Sequence, residues 1–386
     1  MDTNKEIYLD NAATTMVDKD AAELAFRVMT ENYANPSSVH AKGLDAAHIL
    51  KTARLRITEA LGYEKGDGSL IFTSCGTEAS NTAIFGAYEL YFKNKDNIVI
   101  SDSEHPSVEN CARLLEKKGV KVFRIPTKNG ILDMDYAQNA INDKTALVSC
   151  MLVNNETGAV YDLKGLKRIK DKKAPNALLH IDAVQGFLKL ESKISCFDAD
   201  MVTLSAHKIH APKGVGALYV KKGVRICPRM IGGGQEQALR SGTENLAGIA
   251  AFGLAAEKGN KSRERILKKL SDINFAFKEN LSRFCPEAVV NSGQDGFAKH
   301  IVSISVHGVR SEIMLRYLSD RKIYVSAGSA CSSAHSDNRV LKNFGLDEKR
   351  ADSTLRISFS EYNTELETEM LAKALADGEK SLIKTL

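Results

Sequence analysis

Between about residue 69 and residue 220 the chain alternates short, continuously apolar runs with longer amphipathic stretches. Residues 70–73, 97–100, 120–123, 146–153, 178–181, 201–204 and 216–220 have the length and composition of strands buried on both faces, and residues 77–92 and 106–118 have helical spacing. This alternation predicts an α/β fold: an open, largely parallel sheet covered by helices. After Glu244 the pattern stays helical to about Phe284, and a smaller α+β segment follows. There, residues 301–306 and 354–359 alternate with period two, while 311–318 and 364–382 return to helical spacing. The expected division is a large domain over residues 16–260 and a small domain made of 1–15 and 261–386.

In parallel sheets the functional groups collect on loops beyond the carboxyl ends of the strands, so those loops are read first. The run ending at Leu204 continues into Ser205-Ala206-His207-Lys208 and a glycine-rich turn, so Lys208 emerges from a strand end. A free lysine titrates near ~10.4; as a Schiff-base nucleophile it needs desolvation or neighbouring positive charge, and His207 and Lys213 lie beside it in sequence. A solvated surface lysine would fit the same stretch. The loop Thr73 to Glu78 carries Gly76 and Thr77 at a helix start, where unpaired backbone N–H groups form an anion site; a simple cap by Ser74 or Thr77 would look alike. His105 precedes a helix opened by Pro106 and is either a ring-stacking, proton-moving imidazole or a structural residue. Asp182 ends an apolar strand and is followed by Gln185; a carboxylate there faces a cation or caps a helix.

The bulk properties narrow the class. Of 386 residues, 26% are charged and 43% hydrophobic, and the net charge of +5 is dispersed rather than blocked, which gives no nucleic-acid footprint. No apolar run approaches the ~20 residues of a membrane helix and the first residues carry no signal core, so a cytoplasmic protein without a membrane partner is expected. The seven cysteines are scattered, with no Cys-x-x-Cys pair, so neither a disulfide framework nor a metal site is expected.

Five segments taken together carry a resemblance. Tyr8-Leu9-Asp10-Asn11-Ala12-Ala13-Thr14-Thr15, Asn35-Pro36-Ser37-Ser38, Val153-Asn154-Asn155-Glu156-Thr157-Gly158, Arg240-Ser241-Gly242-Thr243 and Ser326-Ala327-Gly328-Ser329-Ala330-Cys331-Ser332-Ser333 resemble the cysteine desulfurases, fold-type-I pyridoxal-phosphate enzymes of the class V aminotransferase family. The resemblance implies that Lys208 holds the cofactor as a Schiff base, Asp182 pairs with the ring nitrogen, Gln185 bonds the ring hydroxyl and His105 stacks on the ring. It further implies that Gly76, Thr77, Ser205 and His207 hold the phosphate, with Thr243 reaching across from the partner subunit of a homodimer. Asn155 and Arg356 would bind the substrate carboxylate, a task suited to the guanidinium fork.

Cys331 selects the reaction. It sits among Ser, Ala and Gly with no apolar neighbours to bury it, as expected of an accessible nucleophile. The implied chemistry converts L-cysteine to L-alanine, with Lys208, His105 and Cys331 as catalytic groups and the sulfur carried as a Cys331 persulfide. The Ser-Ala-Gly-Ser-Ala-Cys-Ser-Ser form resembles the group that supplies a sulfur-acceptor protein, such as an iron–sulfur scaffold, for cluster assembly or thiolation. A selenocysteine lyase or another class V aminotransferase is the alternative on the same scaffold. Three departures from the family pattern stand out: Cys75-Gly76 in the phosphate loop, Gln237-Ala238 in place of a frequent Arg-Gly, and Glu361-Tyr362 after the Arg356 strand.

Overall fold

The computed structural model describes residues 6–91, 94–327 and 338–382, so Cys331 lies outside the described residues. In chain order the first elements are β1 (Ile7–Tyr8), α1 (Lys19–Thr30), α2 (Ala41–Leu61), β2 (Gly68–Thr73), α3 (Gly76–Tyr91), β3 (Asn97–Ser101), α4 (Pro106–Lys117) and β4 (Lys121–Ile125). They are followed by α5 (Met134–Ala140), β5 (Thr145–Met151), α6 (Leu163–Lys173), β6 (Leu178–Asp182), β7 (Met201–Ser205), β8 (Gly216–Lys221) and α7 (Leu246–Lys261). The last third holds α8 (Arg263–Phe284), β9 (Val289–Val290), β10 (Ile301–Ser305), α9 (Ser311–Ser319), β11 (Ile323–Tyr324), α10 (Arg339–Phe344), α11 (Glu348–Asp352), β12 (Thr354–Ser358) and α12 (Glu365–Ser381).

A seven-stranded sheet in the order β2-β8-β7-β6-β5-β3-β4 forms the larger lobe. Strands β3, β5, β6 and β7 are buried throughout, as their near-continuous apolar sequences require when helices cover both faces. The pairs from β4 to β7 are parallel, but β8 runs antiparallel to both β7 and β2. The reason lies in the connection. Residues 206–215 between β7 and β8 are too short for the helical crossover that a parallel pair needs, so the chain turns straight back. The smaller lobe has a three-stranded antiparallel sheet, β12-β10-β9, whose apolar face packs with α8, α9 and α12 through Phe277, Leu281, Ile304, Leu355, Leu371 and Leu375. The N-terminal β1 belongs to this lobe and pairs in parallel with β11.

Local patterns explain most helix limits. Thr364 and Glu367 form a reciprocal capping box at the start of α12, and Gly62 closes α2 in the left-handed conformation that glycine adopts without a Cβ clash. The long helical stretch after Glu244 is two helices, α7 and α8, meeting at Ser262. Leu44 on α2 and Leu366 on α12 face solvent, 61% and 63% exposed. Among the described residues no helix is long and apolar enough to cross a membrane.

Candidate active site

Strands β6 and β7 end side by side, and their last residues, Asp182 and Ser205, face the turn that carries His207 and Lys208. On the same edge β2 runs into Gly76 and Thr77 at the head of α3, and β3 runs through Glu104 into His105, the cap of α4. A cavity of about 270 Å³ opens there, lined by Gly76, Thr77, His105, Asn155, Asp182, Gln185, Ser205, His207, Lys208 and Arg356 with Ala12, Ala13, Cys75 and the apolar walls Met151, Val153 and Val184. Of the expected site residues, Thr243 alone lines a different space, a cleft of about 100 Å³ with Ser74, Arg240 and Glu244, and Cys331 is not among the described residues.

The N-terminal segment stitches the lobes together around Lys208. Lys208 Nζ donates to the Ala12 and Ala13 carbonyls (2.5 and 2.7 Å), and Thr15 donates from its N–H and its hydroxyl to the His207 carbonyl (3.0 and 2.9 Å). On the small-lobe side, Ser358 Oγ accepts the Ala12 N–H at 2.8 Å. The small residues of this segment let its backbone, rather than side chains, reach the lysine.

Burial sets the electrostatics of the site. Asp182 Oδ1 accepts the Val184 N–H (3.0 Å), yet burial raises its pKa to about 6 despite that bond and the nearby Lys208 charge. Burial, and then the charge of Lys208, push His105 down to about 4, so its imidazole is neutral at pH 7. Its Nδ1 accepts the Ser107 N–H (3.1 Å), which leaves the ring proton on Nε2. His207 is likewise pushed down to about 4 by burial and by Lys208.

Arg356, on β12, is 3% exposed and brings the small lobe's charge to the cavity. Its guanidinium donates to Asp10 Oδ1 (2.8 Å) and to the Asn155 carbonyl (3.0 Å), and its Nε has no partner among the described residues. Asp10 is a site residue that the sequence reading passed over; its only signal was a carboxylate inside an otherwise small-residue turn. Also unanticipated is Lys189, whose buried Nζ has no hydrogen-bond partner among the described residues and whose pKa falls to about 7. It lines, with Lys208 and Glu361, a second cavity of about 180 Å³.

Two departures noted in the sequence have structural counterparts. Cys75 lines the cavity, and its backbone passes so close to β8 that a Cβ on Gly216 would lie 2.4 Å from the Cys75 carbonyl carbon. Gln237 and Ala238, with Glu236, are three consecutive residues at positive φ (58°, 61° and 48°), a conformation side-chain-bearing residues adopt at a cost.

Comparison with known proteins places this architecture. The aminotransferase class-V family model matches residues 7–371. A cysteine desulfurase of Nostoc sp. is 37% identical over 374 residues, covering 96% of this chain and 92% of the relative. A cysteine desulfurase IscS of Rickettsia rickettsii is 36% identical over 368 residues, with 94% and 88% covered. Among solved structures, a NifS-like protein superposes with a TM-score of 0.91 at 32% identity, covering 98% of this chain and 100% of the other. A NifS-like protein from Rickettsia africae does so with 0.87 at 30%, over 98% and 100%. Matched over nearly its whole length in sequence and in fold, the chain belongs to the class-V aminotransferase family, and within it to the pyridoxal-phosphate-dependent cysteine desulfurases.

Proposed function

We propose that this cavity binds pyridoxal 5′-phosphate and desulfurates L-cysteine, with the sulfur passing to Cys331 and the carbon skeleton leaving as L-alanine. The observation that carries the reading is the convergence of Lys208, Asp182, His105 and Arg356 on one cavity. Three features of the residues present fit the cofactor. Gln185 Oε1 is buried without a hydrogen-bond partner among the described residues, and a ring hydroxyl would supply one. The buried Asp182 carboxylate lacks the strong cationic pairing that its burial calls for, and a protonated ring nitrogen would provide it. The first turn of α3 offers backbone N–H groups at a glycine; a Cβ on Gly76 would meet Val184 and Ser205 at 3.2 and 3.3 Å.

In this reading Gly76, Thr77, Ser205 and His207 hold the phosphate, His105 stacks on the ring, and Asn155 with Arg356 takes the substrate carboxylate. Thr243 would join the phosphate contacts from the partner subunit of a homodimer. When bound, pyridoxal phosphate supplies an electron sink for the pair left at the substrate α-carbon. Lys208 holds the cofactor between turnovers and, once released, moves the α-proton with the amine that now bonds Ala12 and Ala13. Neutral His105 exchanges the substrate thiol proton. The Cys331 thiolate forms an S–S bond to the substrate sulfur as the C–S bond breaks; the bonding pair stays on the carbon fragment, which takes up a proton to become alanine. One L-cysteine and one thiol thus yield one alanine and one persulfide. Asp10 shares the Arg356 guanidinium, so it keeps that charge balanced and aimed before substrate arrives.

The same proposal covers the division into a large domain (16–260) and a small one (1–15 with 261–386), a cytoplasmic setting, and delivery of sulfur to an acceptor such as an iron–sulfur scaffold. The test is to supply the holoenzyme with L-cysteine and quantify alanine and sulfide under reducing conditions. Equal amounts from the parent and neither from Cys331→Ala are expected. Turnover that survives Cys331→Ala would instead assign the chain to another class-V activity.

A further inference from the structure

Lys208 alone of the described residues lines both the candidate active-site cavity and the second cavity of about 180 Å³. That second cavity holds a charge the desulfurase chemistry leaves unused. Lys189 comes just after the turn that carries Gln185, and Leu188 before it is held at φ +63°. Leu188 packs so close to α7 that a Cβ on Gly259 would lie 2.8 Å from its Cδ1. A residue with a side chain keeps that conformation where its surroundings fix it, so packing sets the place of Lys189. Its Nζ is buried and has no hydrogen-bond partner among the described residues. The acids of this wall are matched already: Asp18 takes Lys258 (2.7 Å) and the Tyr362 hydroxyl (3.4 Å), and Glu361 lies 3.2 Å from His210. Burial, and then the charge of Lys208, push the Lys189 amine down to about 7, although Glu361 favours its charge. Nothing nearby compensates. Burial and the Lys189 charge hold His300 well below its usual range, so it is neutral, and Arg265 adds a further positive charge from the exposed rim.

We propose that Lys189 is a positioning residue that acts through Lys208: its ammonium, set in the second cavity without an acid of its own, disfavours positive charge on the Lys208 nitrogen and keeps that nitrogen able to accept the substrate α-proton. The proposal rests on the reading of Lys208 as the cofactor-bearing lysine. A lysine that works as nucleophile or base needs desolvation or a neighbouring cation, and its sequence neighbours do not supply the cation. His207 is pushed down to about 4 and is neutral, and Lys213 is exposed, where water and salt screen it. Lys189 is the buried cation on a wall that Lys208 shares. Repulsion between the two amines is mutual, so what disfavours a proton on Lys189 disfavours one on Lys208 to the same degree. When the Lys208 nitrogen is uncharged, Lys189 holds its proton more firmly, and near neutral pH the pair shares one positive charge. Asp10 and Asp182 pull the other way, each interacting with the Lys208 charge. Asp10 is shared with Arg356 (2.8 Å), and in the proposed reading Asp182 is taken by the ring nitrogen once the cofactor is bound. Burying a cation without its own acid destabilises a fold, so folding alone does not account for Lys189.

The experiment follows the absorbance of the bound cofactor in the holoenzyme as pH is raised, which reports loss of the proton from the Lys208 nitrogen and needs no turnover. Lys189→Met keeps the stem and removes the charge. Its midpoint is expected to rise by about one pH unit, an acid constant about ten-fold smaller, the effect of a unit charge acting across a cavity at an effective dielectric constant of about 20. Lys189→Arg, which keeps the charge, should stay within about two-fold of the parent. Because the pair is buried, the shift in Lys189→Met should persist in about 1 M salt. A midpoint that stays or falls in Lys189→Met, the same rise in Lys189→Arg, or a shift abolished by salt overturns the proposal. If Lys189→Met does not fold, Lys189→Gln decides by the same midpoint. A parent whose cofactor is not joined to Lys208, shown by mass spectrometry after borohydride reduction, would overturn the reading of Lys208 and this proposal with it. A parent that carries the bond, with a variant whose midpoint is unmoved, overturns this proposal alone.

Discussion

Replacing Asp182 with asparagine should stabilise the protein without its cofactor and weaken it with the cofactor. The side chain is buried, and burial raises its pKa from 3.8 to about 6. At 1.36 kcal/mol per pH unit, that rise corresponds to about 3 kcal/mol of unfavourable free energy for keeping the charge in the folded apoprotein. The folded protein binds this proton more tightly than the unfolded chain, so the penalty is absent below about pH 4, grows as pH rises, and is complete above about pH 6. Asparagine has the same shape, keeps an oxygen to accept the Val184 N–H (3.0 Å) and carries no charge to desolvate. Apo Asp182→Asn should therefore exceed the parent in unfolding temperature at pH 8 by the equivalent of up to about 3 kcal/mol, with the gain vanishing near pH 4. Cofactor affinity should change in the opposite sense. Loss of one partner of a buried charge pair costs about 2–5 kcal/mol, or at least roughly 30-fold in the dissociation constant. Thermal unfolding of the apoprotein across pH, paired with a cofactor titration by absorbance, measures both. A variant less stable than the parent at pH 8, or equally stabilised at pH 4 and pH 8, would refute the account of Asp182 as a carboxylate held for a cationic partner.

Arg356→Lys should raise KM for L-cysteine by about 10- to 100-fold with a smaller effect on kcat, because an ammonium cannot hold Asp10, the Asn155 carbonyl and a substrate carboxylate together; steady-state kinetics with a larger fall in kcat than rise in KM would contradict this. Gly216→Ala should lower cofactor occupancy, read by absorbance per chain, since its Cβ would push on the Cys75 carbonyl carbon 2.4 Å away and shift the loop ahead of Gly76 and Thr77. Ala238→Gly should raise the unfolding free energy by about 1 kcal/mol by relieving a residue held at φ +61°, and an unchanged or lower melting temperature would show that the neighbouring left-handed residues absorb the strain.

What could be read ahead of the structure was whatever depends on order along the chain. The alternation of apolar runs with helices predicted the parallel core, and the rule that chemistry gathers beyond strand ends led to Lys208, Asp182, His105 and Gly76 one loop at a time. Each of those residues had a plain structural explanation until the others were weighed with it. The direction of β8 was not anticipated, because the reading followed strand identity and not the length of the connection that sets strand direction. Asp10 and Lys189 were missed for a different reason. Their surroundings, Arg356 and the second cavity beside Lys208, are remote in sequence, and no local period encodes a long-range pair.

Sequence alone thus determined the element types, the larger sheet and the inventory of reactive groups, because propensity, hydrophobic period and motif spacing are properties of neighbouring residues. Only the tertiary structure decided how those groups act together. It buried Asp182 so that its charge calls for a partner, lowered His105 to a neutral imidazole, and brought Arg356 from the smaller lobe into the same cavity as Lys208. Desolvation and charge coupling depend on what surrounds a group in space, and that is settled when the two lobes close on each other through the N-terminal segment.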